Sequence, residues 1–101
     1  MTVFLFPTEM EAEPFMELCP DADVVISGVG MAATAATLSK LYAEKRISKN
    51  DVVVLAGLAG SYVGELEKGD VVEVVKERCA ELPGRFQREY SVEPYTNLRC
   101  V

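Results

Sequence analysis

Three carboxylates and two glycine-rich loops are the residues here whose types and spacing could do chemistry. Glu9, Glu11 and Glu13 alternate immediately after a short apolar run. A carboxylate held on the rim of a sheet is a candidate general base toward water. On a helix Glu9 and Glu13 share a face, whereas on an extended turn at most two of the three share a direction. The plainer reading is a solvated helix start, where the positive end of the helix dipole favours acids. Ser27-Gly28-Val29-Gly30-Met31-Ala32-Ala33 carries G-x-G-x-x-A. Such a loop lets backbone approach an anion at a helix N-terminus. A dinucleotide site also needs an acid at the end of the next strand, but that strand ends in Leu55-Ala56-Gly57. Small residues required by a tight strand-to-helix turn explain the pattern as well. The second loop, Gly57-Leu58-Ala59-Gly60-Ser61, lacks the lysine of a P-loop, which argues against a nucleoside triphosphate.

Other chemistries have less support. The chain contains no His, and Cys19, Cys79 and Cys100 show no C-x-x-C spacing, so neither a metal site nor a disulfide framework is expected. The cysteines read as core or incidental residues, and the four tyrosines are too scattered to form a stacking platform. Residues 1–39 hold six acids and no Lys or Arg, and the net charge is −6. With no basic stripe anywhere, neither nucleic acid nor a membrane surface is expected as a partner. No apolar run reaches the roughly 18 residues needed to span a bilayer. The first residues lack the basic start of a signal peptide, so a cytoplasmic location is the expectation.

Positioning these groups requires a sheet. Thr2–Phe6 is short, apolar and stopped by Pro7, which predicts a strand buried on both faces. Thr8 and Glu11 have the T-x-x-E form of a capping box, so a short helix follows, with Pro14 near a kink or a second helix start and Pro20 closing the segment. Val24–Ile26 is a second strand. A helix from Met31 to about Arg46 presents Met31, Ala35, Leu38 and Tyr42 as its apolar face. Lys45, Arg46 and Lys49 gather at its C-terminal end, where cations are favoured. Val52–Leu55 is a third strand, and Lys68-Gly69-Asp70 turns into a fourth over Val71–Val75. This alternation predicts an α/β fold with a mostly parallel or mixed sheet flanked by helices. Residues 78–101, which contain Pro83, Gly84 and Pro94, show no periodicity and read as an irregular C-terminal segment after a partial domain over 1–77.

Taken together, Phe6-Pro-Thr-Glu-Met-Glu-Ala-Glu-Pro14, Ser27-Gly-Val-Gly-Met-Ala-Ala33, Ala56-Gly-Leu-Ala-Gly-Ser61 and Lys68-Gly-Asp-Val-Val72 resemble the nucleoside phosphorylase/nucleosidase superfamily. The nearest likeness is to its hydrolase branch: methylthioadenosine/S-adenosylhomocysteine nucleosidases and, at Thr8 to Pro14, futalosine hydrolases. It covers about residues 2 to 77 and implies the N-terminal half of a nucleoside phosphorylase-like fold.

The resemblance implies that a glutamate after the first strand activates the attacking water, a role placed on Glu11 with Glu13 as the alternative register. It also implies that Leu58, Ala59 and Gly60 lie against the base and ribose, and Ser27, Gly28 and Gly30 near the water. The ligand would be a small purine nucleoside, without a cofactor or metal, and the assembly a homodimer. Phosphorylase relatives carry cations around phosphate. Here Leu55 is apolar and residues 1–39 have no base, so hydrolysis fits better. Family members continue further and supply a Met-Glu ribose clamp and an Asp that protonates the purine. Neither motif is matched in this chain, so it is expected to be the N-terminal portion of such an enzyme or a shortened relative. The alternative is a non-catalytic nucleoside- or base-binding, or oligomerising, remnant. A dinucleotide-binding oxidoreductase ranks third.

Overall fold

The computed structural model describes residues 1–62 and 64–101 and divides into two compact units, Met1–Gly60 and Ser61–Val101. The first unit is α/β. Its elements run β1 (Thr2–Phe6), α1 (Glu9–Leu18), β2 (Asp23–Ile26), α2 (Met31–Ala43) and β3 (Val52–Leu55). The strands form one parallel sheet in the order β2-β1-β3. Central β1 pairs Phe4 with Val24 on one side and with Val54 on the other.

Alternation along β1 sends its side chains to two different helices. Val3 and Leu5 are buried on one face with Leu41 and Ile47, and Val25 and Leu38 pack against that cluster. Phe4 and Phe6 point the other way, onto Phe15 of α1, with ring centroids 4.6 and 5.4 Å apart. The two crossovers therefore cover opposite faces, as right-handed connections to strands on either side of β1 require. Full burial of Leu5 and Val3 contributes about 1.5–3 kcal/mol each.

The helix ends follow local chemistry. Thr8 is in extended backbone and its hydroxyl oxygen accepts the Glu11 N–H, capping α1. α1 runs unbroken through Pro14 rather than restarting there. Pro14 has no N–H for the Met10 carbonyl, and both residues are exposed, so water can satisfy that carbonyl. α2 ends at Ala43, short of Arg46, in a two-bond Schellman closure. The Arg46 N–H donates to the Leu41 carbonyl and the Lys45 N–H to the Tyr42 carbonyl. Lys45 takes the left-handed position, at φ 60°.

The buried face of α2 keeps only Leu38 of the expected one, which packs half-buried against the core. Met31 and Tyr42 are 73% and 64% exposed and Ala35 is exposed, whereas Leu41 is buried and Ala33 and Thr37 are half-buried. The sheet selects the stripe that leads to Leu41, and Ile47 beyond the cap completes its core. Arg46 then pairs with Asp23 at 2.8 Å, tying the end of α2 to the start of β2.

Asp51 closes the turn before β3. It accepts the Ser48 N–H at 2.9 Å and lies 3.3 Å from the Met1 ammonium. The Ser48 N–H, helped by the nearby ammonium, holds its carboxyl below the ordinary 3.8.

Among the described residues of the second unit the strands are two residues long: β4 (Val72–Glu73), β5 (Lys76–Glu77), β6 (Tyr90–Ser91) and β7 (Arg99–Cys100). β4 pairs with β7 in parallel and β5 with β6 antiparallel. The strand expected over Val71–Val75 is thus reduced to two residues and paired within this unit. Residues 78–101 supply its partners and a 3₁₀ turn at Gly84–Phe86. No described side chain of this unit is fully buried. Backbone bonds and the Glu73 carboxylate hold it instead. That carboxylate accepts the N–H groups of Tyr95 at 2.8 Å and Thr96 at 2.7 Å. The Thr96 side chain and these amides keep Glu73 below its ordinary 4.5. Cys19 and Cys100 are exposed and Cys79 is half-buried, and all three are free, so none is a core residue. No helix among the described residues is long and apolar enough to cross a membrane.

Candidate functional site

The order β2-β1-β3 makes the carboxyl ends of the paired strands β1 and β3 a topological switch point. The chain leaves β1 toward one side of the sheet and later crosses to the other, which opens a crevice at the strands' carboxyl ends. A cleft of about 310 Å³ lies there, lined by Phe6, Met10, Glu11, Pro14, Ala56, Gly57 and Leu58. Its walls are the end of β1, the first turns of α1 and the loop after β3. Phe6, Met10, Pro14 and Leu58 make it largely apolar, and Glu11 is its single ionisable lining residue.

Glu11 reaches this cleft because of a departure from the capping box. In a complete box the glutamate would return to the N-cap backbone N–H. Here one carboxylate oxygen accepts the Thr8 hydroxyl at 3.0 Å and the other accepts the Leu58 N–H at 2.9 Å. Glu11 thereby joins residues 47 apart in sequence and fastens the glycine loop to α1. A carboxylate has about four lone-pair sites, so each oxygen can still accept from a water or a ligand hydroxyl.

The other expected site residues are distributed unevenly. Leu58 meets Glu11 through its backbone, and its side chain stands 89% exposed at the cleft mouth. Ala59 and Gly60 are exposed and lie outside the lining. Glu13 is exposed on α1 with no hydrogen bond or ion pair among the described residues, so the geometry favours Glu11 as the carboxylate of this cleft. Ser27, Gly28 and Gly30 lie at the end of β2, on the far side of β1 from β3, and do not line it.

Their local roles are visible. Ser27 is buried; its N–H donates to the Phe6 carbonyl at 2.9 Å, its hydroxyl lies 3.0 Å from the Gly28 carbonyl, and its own carbonyl accepts the Thr37 hydroxyl. Gly28 and Gly30 have positive φ, and a Cβ on Gly28 would stand 3.0 Å from that of Ala33. The G-x-G-x-x-A pattern thus has a complete backbone and packing explanation. No group of three or more His, Cys, Asp or Glu that could hold a metal occurs among the described residues.

Gly57, expected only as the start of the second glycine loop, faces the carboxylate with the side where a Cβ would stand. A Cβ built there would stand 2.8 Å from a Glu11 oxygen and 3.2 Å from Pro7 Cδ and Cγ. Thr8 was legible only as a cap; its second hydrogen bond, to the Glu11 side chain, depends on where the carboxylate is drawn. Met10 and Pro14, which line the cleft from exposed positions on α1, carried no signal in their spacing. Comparison of the chain with protein-family models, with curated proteins and with solved structures returned no match.

Proposed function

We propose that the chain is the water-binding part of a purine nucleosidase-like hydrolase, of the nucleoside phosphorylase type that its motifs resemble. The observation that carries the reading is the Glu11 carboxylate, held at the β1/β3 switch point by Thr8 and by the Leu58 N–H of the second glycine loop. Water bound to Glu11 would attack the anomeric carbon of the ribose as the bond to the purine nitrogen breaks. Glu11 takes a water proton, the electron pair of the broken bond leaves with the purine, and a proton from the surroundings neutralises the departing base. Water is thereby added across the glycosidic bond. Phe6, Met10 and Leu58 offer apolar surface for a purine or sugar face, while Ala59 and Gly60 follow Leu58 in the loop, outside the lining. Among the described residues that line the cleft there is no Lys or Arg, which suits water rather than phosphate as the nucleophile.

The test is purine release from methylthioadenosine, S-adenosylhomocysteine and futalosine, followed by chromatography. Glu11→Gln is expected to lower turnover by about 10²–10⁴-fold. Wild-type turnover in that variant would remove Glu11 from the chemistry.

A second reading, a nucleoside- or base-binding module without turnover, is favoured by the same lining: one carboxylate in an otherwise apolar cleft, with no second ionisable group to protonate a leaving group. It expects adenine or nucleoside binding by calorimetry with no base released. Lack of both binding and release would dismiss both readings.

A further inference from the structure

We propose that Gly57 is a positioning residue: the space where its Cβ would be is the seat of the Glu11 carboxylate. Its catalytic consequence rests on the reading of Glu11 as the base; the seat itself does not.

Three observations converge. An added Cβ would come within 2.8 Å of Glu11 Oε2, closer than real Cβ contacts allow. That same oxygen accepts the Leu58 N–H at 2.9 Å, so the residue after Gly57 supplies the bond that the missing Cβ makes room for. Gly57 is not among the glycines with positive φ, so conformation gives no reason for glycine there. Gly28, Gly30 and Gly69 do have that reason. Gly60, three residues on in the same loop, has nothing within 4 Å of an added Cβ. Two glycines of one short motif therefore do different things, and only the first bears on the carboxylate.

The consequences for substitution are specific. The atom an alanine methyl would displace is the far end of a flexible side chain, while Pro7 has to give by only a few tenths of an ångström. Gly57→Ala should therefore leave the fold intact and push the carboxylate off the Leu58 N–H. A glycine kept for packing or chain reversal would behave differently, lowering thermal stability with the Glu11 bond unchanged.

The experiment is a double-mutant cycle on the full chain, read by the Leu58 amide proton resonance in ¹⁵N-labelled protein. Donation to a carboxylate places that proton downfield. Gly57→Ala and Glu11→Ala are each expected to move it upfield, with the double variant moving it no further than Glu11→Ala alone. Gly60→Ala should leave it in place. The melting temperature of Gly57→Ala should fall no further than that of Glu11→Ala, which loses the same bond. An unmoved Leu58 resonance in Gly57→Ala, or shifts that add in the double variant, would overturn the seat. No substrate enters this measurement. Failure of the wild-type chain to release purine would thus count against the nucleosidase reading and leave the cycle to decide on Gly57. Where purine is released, Gly57→Ala should lower kcat with KM little changed, and an unchanged kcat with a displaced carboxylate would count against Glu11 as the base.

Discussion

Glu11 and Glu73 each accept a backbone N–H from a residue distant in sequence, with different consequences. Glu11 is gripped on one side by Thr8 and on the other by Leu58, and it faces a cleft. Glu73 is turned inward onto the loop at Tyr95 and Thr96, where its oxygens serve the chain itself. The Thr96 side chain and the two amides favour the ionised form of Glu73, so its carboxyl lies below the ordinary 4.5. The sign follows from linkage: the folded form binds its proton less tightly than the unfolded chain. The stabilisation is complete above about pH 4.5 and is lost as pH falls through the lowered value. In an NMR titration, the Tyr95 and Thr96 amide resonances should move together with one midpoint below 4.5. A midpoint at or above that value would contradict the assignment. Glu73→Gln should abolish the common transition.

Among the elements, α2 shows best how a local pattern and a tertiary partner divide control. Its existence is local: a run rich in Ala, Leu and Lys favours helix. Its buried stripe is set by the β1 face that it covers, where Val3 and Leu5 meet Leu41 and Ile47. Its end is a Schellman closure with Lys45 in the position that usually takes glycine. An L-residue in the left-handed region costs about 1–2 kcal/mol, against which glycine loses more backbone entropy on folding. Lys45→Gly is therefore expected to stabilise the protein by about 0.5–1 kcal/mol, read from urea unfolding. A loss of stability would mean that the Lys45 side chain contributes more at the C-terminus of α2 than its backbone costs.

At the scale of the molecule, the buried side chains among the described residues all belong to residues 1–60. Residues 64–101 are organised by two-residue ladders and exposed hydrogen bonds, with Val74, Tyr90 and Val92 each more than half exposed. Stability follows buried apolar area, so the two parts should open at different free energies. In native-state hydrogen exchange, amides of β1 should exchange only through the largest opening of the first unit, whereas those of β4–β7 should exchange through smaller local openings. Equal protection in both would show that residues 64–101 are stabilised by burial.

Sequence alone determined what depends on neighbours in the chain. The strand–helix alternation, the bounds of β1 and β3, the Thr8 cap and the positions of both glycine loops were legible because capping, β propensity and chain reversal act within a few residues. The α/β class followed from their order. Tertiary structure decided what depends on residues distant in sequence. The cleft at the carboxyl ends of β1 and β3 exists only once three strands take the order β2-β1-β3. Only then does Glu11 meet Leu58 across 47 residues while Glu13, two positions on, is exposed and does not line the cleft. Gly57 and Gly60 are the same letter in one motif, and Gly28 carries the clearer fingerprint. Yet it is Gly57 whose missing Cβ leaves room for the carboxylate, because steric exclusion is a property of what stands opposite and not of the residue itself. The expected strand over Val71–Val75 was shortened for the same reason. A ladder needs a partner, and the partners of Val72 and Lys76 came from Arg99 and Ser91, in a stretch with no periodicity to announce them.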